Sequence, residues 1–177
     1  MTATTFHIPT LATERLTLRA LRLDDFEALA AFYSSERAKV VGGPQRPDQT
    51  WRSLATELGH WALRGYGRWA LEETASGAFV GVSGLWEPEG FPELELGWDL
   101  MDGFEGRGYA TEAGRAARAY AYGTLGATTV ISLIAPGNDG SKGVARRLGA
   151  AYERDFDHVS FGRTEIWRHP GPEARAA

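Results

Sequence analysis

Between Arg15 and Leu21 apolar and polar side chains alternate, with Leu16, Leu18 and Ala20 on one side and Thr17 and Arg19 on the other. A period of two predicts a strand with one face against a core. Behind Asp24 the period lengthens: Phe26, Leu29, Ala30 and Tyr33 share one helical face, and Asp24 is placed as the helix cap. After the break GGPQRP a second helix is expected from Asp48 or Thr50 to Ala62. Three strands should follow, over Arg68–Glu72, Ala78–Trp86 and Glu93–Met101, the first two joined by the turn ETASG. In Thr111–Leu125 the residues Ala113, Ala117, Ala121 and Leu125 recur at four-residue steps, a slim helical face that can lie close to a sheet. Thr128–Ala135, TTVISLIA, is almost continuously apolar and reads as a strand buried on both faces. Asn138 or Asp139 opens a short helix that stops at Leu148 and Gly149, and strands near Tyr152–Phe161 and Arg163–Arg168 close the chain.

The sum is an α/β domain of the α+β kind, with about seven strands in a mixed, mostly antiparallel central sheet and about four helices. Parallel pairing is expected where a helix crosses over. Residues 1–168 read as this single domain, and 169–177, with proline, glycine and small residues, as a flexible C-terminal tail.

A chain of 177 residues can bury a real core, and 43% hydrophobic with 24% charged residues argues against general disorder. A net charge of -4 gives no global electrostatic reason to bind nucleic acid or an anionic membrane, so neither is expected as a partner. The lack of cysteine excludes disulfides, thiolate metal ligands and a cysteine nucleophile, and fits a cytoplasmic protein. No apolar run suggests a transmembrane helix, and the opening MTATTFHIPTLATERL has neither the basic nor the apolar region of a signal peptide. His7, His60, His158 and His169 show no ligand spacing, so no metal is expected.

Chemistry concentrates in FEGRGYATEA, Phe104–Ala113, where Gly106 and Gly108 flank Arg107 just ahead of an expected helix. Glycine lets peptide N–H groups converge, and a helix N-terminus offers unpaired donors with partial positive charge. Strand, glycine loop and helix in this order make a site for an anion; a loop that merely turns tightly is the plainer reading. GRGYAT lacks the third glycine of G-x-G-x-x-G, and no G-x-x-x-x-G-K-[ST] occurs, which argues against dinucleotide and nucleoside triphosphate binding.

GRGYATEA, with ELGW before it (Glu95–Trp98) and N-x-x-S-x-x-V-x-x-x-L-G after it (Asn138, Ser141, Val144, Leu148, Gly149), resembles the GNAT superfamily of acyl-CoA-dependent N-acyltransferases. Within it the motif is similar to the ribosomal-protein N-terminal (RimJ/RimL-type) acetyltransferase branch. LATERLTLR is similar to that branch's opening strand, and the likeness runs to about residue 168. The resemblance implies a GNAT-like sheet with a splayed parallel pair in the middle, and acetyl-CoA as co-substrate. It implies that the backbone N–H groups of Gly106, Arg107, Gly108, Tyr109, Ala110 and Thr111 hold the pyrophosphate, with the Arg107 cation close by. It further implies that the backbone of Asp99, Leu100 and Met101 pairs with the pantetheine arm, and that Asn138 contacts that arm. Asparagine is equally suited to capping the helix. Glu105 stands where the superfamily usually carries Gln or Arg, and is expected to point away from the phosphates.

Acyl transfer to nitrogen needs a neutral amine and a proton for the departing thiolate. An α-amino group with a pKa near 8 is roughly a tenth neutral at pH 7, against about 0.04% for a lysine near 10.4, so an N-terminal acceptor needs only a modest base. Glu95 is the candidate, directly or through water, because strand alternation places Glu93, Glu95 and Asp99 on one face; an exposed strand glutamate is the bland alternative. The resemblance implies that Ser141 serves the thiolate, since the tyrosine many members carry four residues further on is Ala145 here. A first-turn serine bonded to backbone is as plausible. Seven acidic residues and no basic one between Glu87 and Glu105 would draw in a cationic amine, or would only form a solvated rim. Trp51, Trp61 and Trp69 suit either a wall for the acceptor or the core. The expected function is direct acetyl transfer from acetyl-CoA to a primary amine, a protein N-terminus or a small molecule, by a monomer or homodimer. The alternative is a non-catalytic acyl-CoA-binding sensor or interaction domain.

Overall fold

Leu16 and Leu18, apolar positions of the first alternating stretch, are fully buried, and Thr17 and Arg19, which alternate with them, are only partly so. The computed structural model describes residues 6–172. Among them the strands are β1 (Leu11–Ala12), β2 (Leu16–Arg19), β3 (Arg68–Glu73), β4 (Phe79–Trp86), β5 (Glu95–Leu100), β6 (Ile131–Ile134), β7 (Ala151–His158) and β8 (Gly162–Arg168). The α-helices are α1 (Phe26–Ser34), α2 (Pro47–Arg64), α3 (Tyr109–Gly123) and α4 (Asp139–Arg147). One sheet of eight strands runs β1-β2-β3-β4-β5-β6-β8-β7. Every pairing is antiparallel except β5 with β6, which α3 joins as a crossover. The strand beyond the expected seven is β1, two residues long and too short to leave a periodic signal.

The two faces of the sheet carry separate cores. Leu16, Leu18, Trp69, Leu71, Val80 and Leu96 pack with Ala113, Ala117 and Ala121 of α3, the slim face read from the sequence. On the other side Ala70, Val82 and Met101 meet Leu29, Phe32 and Leu54 of α1 and α2. Full burial of a leucine side chain contributes roughly 1.5–3 kcal/mol, so these layers dominate the stability of the fold. Helix α1 starts differently from expectation. Asp24 is exposed, and the buried Asp25 holds the turn instead, accepting from the Arg22 N–H at 2.9 Å and from the Arg19 guanidinium at 2.8 and 2.9 Å. The Arg19 cation, itself tucked against the sheet, draws the carboxylate inward.

The parallel pair is short. Its register is Glu95 with Ile131, closed by the Ile131 N–H on Leu94 O at 3.0 Å, and beyond that point the strands part. At the fork Ser132 Oγ donates to Leu96 O at 2.6 Å and meets His169 Nε2 at 2.9 Å. His169 is buried, beside Arg118, and burial drives its imidazole down to about 3, so it stays neutral. The tail expected from residue 169 therefore begins with packed residues: the His169 N–H also bonds Val130 O, and Tyr122 OH donates to Pro170 O. Positions 173–177 lie outside the described residues.

Candidate active site

Beyond β5 the chain turns through Gly106 and Gly108, with φ of +73° and +86°, conformations that a side chain strongly disfavours. Gly108 is the N-cap of α3, whose bonding starts with the Glu112 N–H on Gly108 O at 3.0 Å. Among the described residues the peptide N–H groups from Glu105 to Thr111 have no protein acceptor. Around Gly106 a Cβ would meet nothing within 4 Å beyond its chain neighbours, while one on Gly108 would meet Arg15 Nη2 at 3.3 Å. Unpaired N–H groups at a helix N-terminus, with open space beside Gly106, fit an anion such as a diphosphate.

The loop is braced from β2. Arg15 Nη1 donates to Arg107 O at 2.9 Å, its Nε to Glu112 Oε2 at 2.8 Å, and its guanidinium lies 4.8 Å from the centre of the Tyr109 ring. Thr13 Oγ1 and the Arg15 N–H fill Glu112 Oε1. Arg107 stands over the Phe104 ring at 5.3 Å. Glu105 pairs with Arg37 and accepts the Gly103 N–H, so its charge is engaged within the protein.

Where β5 and β6 separate, a cavity of about 640 Å³ opens, lined among others by Glu57, Arg68, Glu95, Asp99, Asn138 and Ser141. Glu95 Oε1 accepts the Leu133 N–H at 3.2 Å. Burial pushes the Glu95 carboxyl up to about 7, against the pull of that hydrogen bond and of Arg68. Across the mouth, Ser141 Oγ accepts Trp98 Nε1–H at 3.2 Å, which leaves the hydroxyl hydrogen free to donate. Asn138 Oδ1 accepts the Ser141 N–H at 3.1 Å and caps α4. On the cavity floor Arg68 Nε donates to Glu57 Oε1 at 2.9 Å and Nη1 to Asp99 Oδ2 at 3.0 Å, and Tyr33 OH reaches the same Oδ2 at 3.0 Å. Burial, then the neighbouring Asp99 charge, push the Tyr33 phenol up, so it remains a donor.

Strand β5 presents its open edge to this gap. Leu94 O and Leu96 O accept from β6, whereas the Met101 N–H turns the other way to Val80 O at 3.0 Å. Alternation then gives the gap the peptide groups of Trp98 and the N–H of Leu100, whose carbonyl already accepts from Arg37 Nη2 at 3.3 Å. Residues 15–151, which carry this glycine loop and the fork between β5 and β6, match the family model of the acetyltransferase (GNAT) domain. The chain belongs to the GNAT acetyltransferase family.

Individual proteins and solved structures are similar to this chain over most of its length. An acetyltransferase of Agrobacterium tumefaciens str. C58 is 38% identical, with a TM-score of 0.86 over 96% of this chain and 99% of that one. The protein YkkB of Bacillus subtilis (strain 168) is 29% identical over 153 residues, 81% of this chain and 86% of its own. RimL, the ribosomal L7/L12 alpha-N-protein acetyltransferase solved in complex with coenzyme A, shares the fold at 16% identity, with a TM-score of 0.74 over 91% of this chain and 97% of its own. The chain is thus a GNAT enzyme of acetyl transfer with ribosomal-protein acetyltransferases among its structural neighbours. No helix among the described residues is long and apolar enough to cross a membrane.

The structure brings Glu95, Ser141, Asn138 and Asp99 to one cavity and sets Gly106 to Thr111 at the neighbouring loop. Of the three positions expected to offer backbone, Leu100 alone faces the gap; Met101, just past β5, is bonded to β4, and Asp99 contributes a carboxylate held by Arg68 and Tyr33. Glu93 leaves the acidic face to pair with Arg168 at 2.7 Å, and Glu87 accepts from Tyr66 OH. Trp61 and Trp69 are core and Trp51 stands exposed, so α2 walls the cavity with Arg52, Ser53, Thr56 and Glu57 instead. Sequence reasoning missed Tyr33, Glu57, Arg68 and the bracing Arg15. One signal was present: Thr50, Leu54, Glu57 and Trp61 form a single stripe on α2, and a glutamate on a buried stripe needs a partner.

Proposed function

We propose that this protein transfers an acetyl group from acetyl-CoA to a primary amine in one direct step. The observation that carries the reading is the pairing of two halves across the β5–β6 fork: unclaimed N–H donors on one side, and a carboxyl poised near 7 facing a free hydroxyl on the other. Acetyl-CoA supplies an activated acyl carbon and a thiol leaving group. The N–H groups of Gly106 to Thr111 bind its diphosphate, and Arg107 adds a cation beside it. Trp98 offers its peptide groups and Leu100 its N–H to the arm, and Asn138 keeps its Nδ2 amide for the same arm while its oxygen caps α4. Glu95 takes the proton of the incoming ammonium, directly or through one water, so that nitrogen can form the C–N bond. Ser141 donates to sulfur as the C–S bond breaks, oriented by Trp98. A carboxyl near 7 is matched to an α-amino group near 8, which favours an N-terminal or similarly weakly basic amine.

The test is release of free thiol from acetyl-CoA against a panel of peptides and small amines, read beside a thermal shift with CoA. Amine-dependent release is the expected result. Protection by CoA without release from any amine would instead identify a binding module.

A further inference from the structure

The floor of the cavity is one positive charge short. Glu57 and Asp99 together carry two negative charges, and Arg68 between them carries one positive charge. Their side chains are 8%, 5% and 18% exposed, so water does little to settle the difference. The bonds are also uneven. Arg68 gives both of its contacts on Glu57 to Oε1, and Glu57 Oε2 is buried with no partner among the described residues. Asp99 Oδ2 takes both Tyr33 and Arg68, and its Oδ1 takes neither. The two other cations lining the cavity do not fill the gap, because Lys39 pairs with Glu36 and Arg52 leans toward Asp48.

Resting on the acetyl-transfer reading, we propose that Glu57, backed by Asp99, binds a second positive charge on the acceptor, so that the preferred substrate is an amine carrying another ammonium or guanidinium group. Glu95 and Asp99 stand four residues apart on one face of β5, about 13 Å along the strand, and Glu57 and Asp99 both lie near enough to act on the Glu95 charge, so the two subsites are separated by at most about that length. A diamine or a short peptide with a basic residue near its N-terminus spans that distance. Both offer the same chemistry.

Matched acceptors separate the possibilities. One arm compares diaminoalkanes of four to ten carbons with amino alcohols of equal length; the other compares Ala-Lys-amide and Ala-Ala-Lys-amide with their glutamine counterparts. In the wild-type enzyme kcat/KM should favour the second cation at least tenfold in one arm, after a statistical factor of two for diamines, and the arm that responds names the source. Glu57→Gln should bring the ratio below threefold. Asp99→Asn removes the same surplus charge from the other carboxylate and decides the matter if Glu57→Gln does not fold. A thermal-shift titration of the same pairs reads the site without turnover. Equal treatment of both members of every pair, as expected if solvent alone satisfies Glu57 Oε2, overturns the second-cation site and leaves the acetyl-transfer reading standing, as does a preference that survives both substitutions. Thiol release from no amine at all would overturn the activity itself, and the thermal shifts would still judge the site.

Discussion

The loop and the cavity are built in opposite ways. The loop's working groups are peptide N–H donors from one stretch of chain, and two left-handed glycines set their direction. The cavity's working groups are side chains from α1, α2, β3, β5 and α4, joined by hydrogen bonds that cross up to 66 positions of sequence. A backbone site tolerates change in any side chain that leaves φ alone. A side-chain site fails one residue at a time, and each failure has its own signature in rate, affinity or pH.

The sharpest break of this contrast is Glu95→Gln. It should lower kcat/KM about 10²–10³-fold while CoA affinity stays within twofold. The pH profile adds a second reading. With Glu95 near 7 taking the proton of an ammonium near 8, log kcat/KM for the wild type should climb with a slope near one to about pH 7, level off between about 7 and 8, and fall above that. The variant has no base and needs the amine already neutral, so its log kcat/KM should climb with a slope of one up to about pH 8 and then level. Stability moves oppositely to activity. A carboxyl raised from 4.5 to about 7 binds its proton more tightly in the folded chain, so wild-type stability is fully present below about 4.5 and falls as pH rises through about 7. Glu95→Gln should therefore match the wild type in a melt at pH 4.5 and exceed it at pH 8, by at most about 3 kcal/mol. A variant that is slower and no more stable at pH 8 would remove the buried carboxylate from the mechanism.

On the loop, Gly108→Val is the counterpart. A β-branched residue leaves the left-handed region at a cost of about 1–3 kcal/mol, and the N–H fan turns with it. CoA affinity by calorimetry should drop roughly 10- to 100-fold, while the pH profile at saturating acetyl-CoA keeps its shape. A changed profile would mean that loop and cavity are not separable.

The same contrast explains what the sequence disclosed. GRGYATEA was legible because a backbone site needs its glycines and its helix start side by side. Asn138 and Ser141 were legible for the same reason, as the cap and first turn of one short helix. The fold was legible from Leu16 to Trp167 because half-buried strands and slim helices impose periods of two and of three to four. Arg68 was not, since nothing local distinguishes an arginine that opens a strand in solvent from one that meets Glu57 and Asp99 under α2. Nor was Asp25 over Asp24, a choice made by Arg19 on the neighbouring strand. Which peptide groups of β5 face the fork was equally hidden, because pairing with β4 settles it.

Ser141→Ala sharpens the chemistry at a smaller scale. Loss of one donor to a developing thiolate should lower kcat about 10-fold, within the span of a single positioned group, and leave CoA affinity within twofold. Trp98→Phe acts through Ser141, so it should cost about threefold alone and almost nothing in the Ser141→Ala background. Additive losses would show that Trp98 works elsewhere.

The smallest effect should come from Arg15→Ala. Arg15 ties the loop to the start of β2 through Arg107 O and Glu112, but its side chain is 44% exposed, and solvent screens exposed pairs of this kind. The direction of the N–H groups is set by Gly106 and Gly108, whose backbone angles do not depend on it. Removing the brace should then widen the loop's motion without redirecting its donors, and CoA affinity should fall about threefold, a factor that shrinks in high salt. A loss as large as that of Gly108→Val would mean that the loop borrows its shape from β2, and the division between a locally built grip and a remotely built cavity would fall.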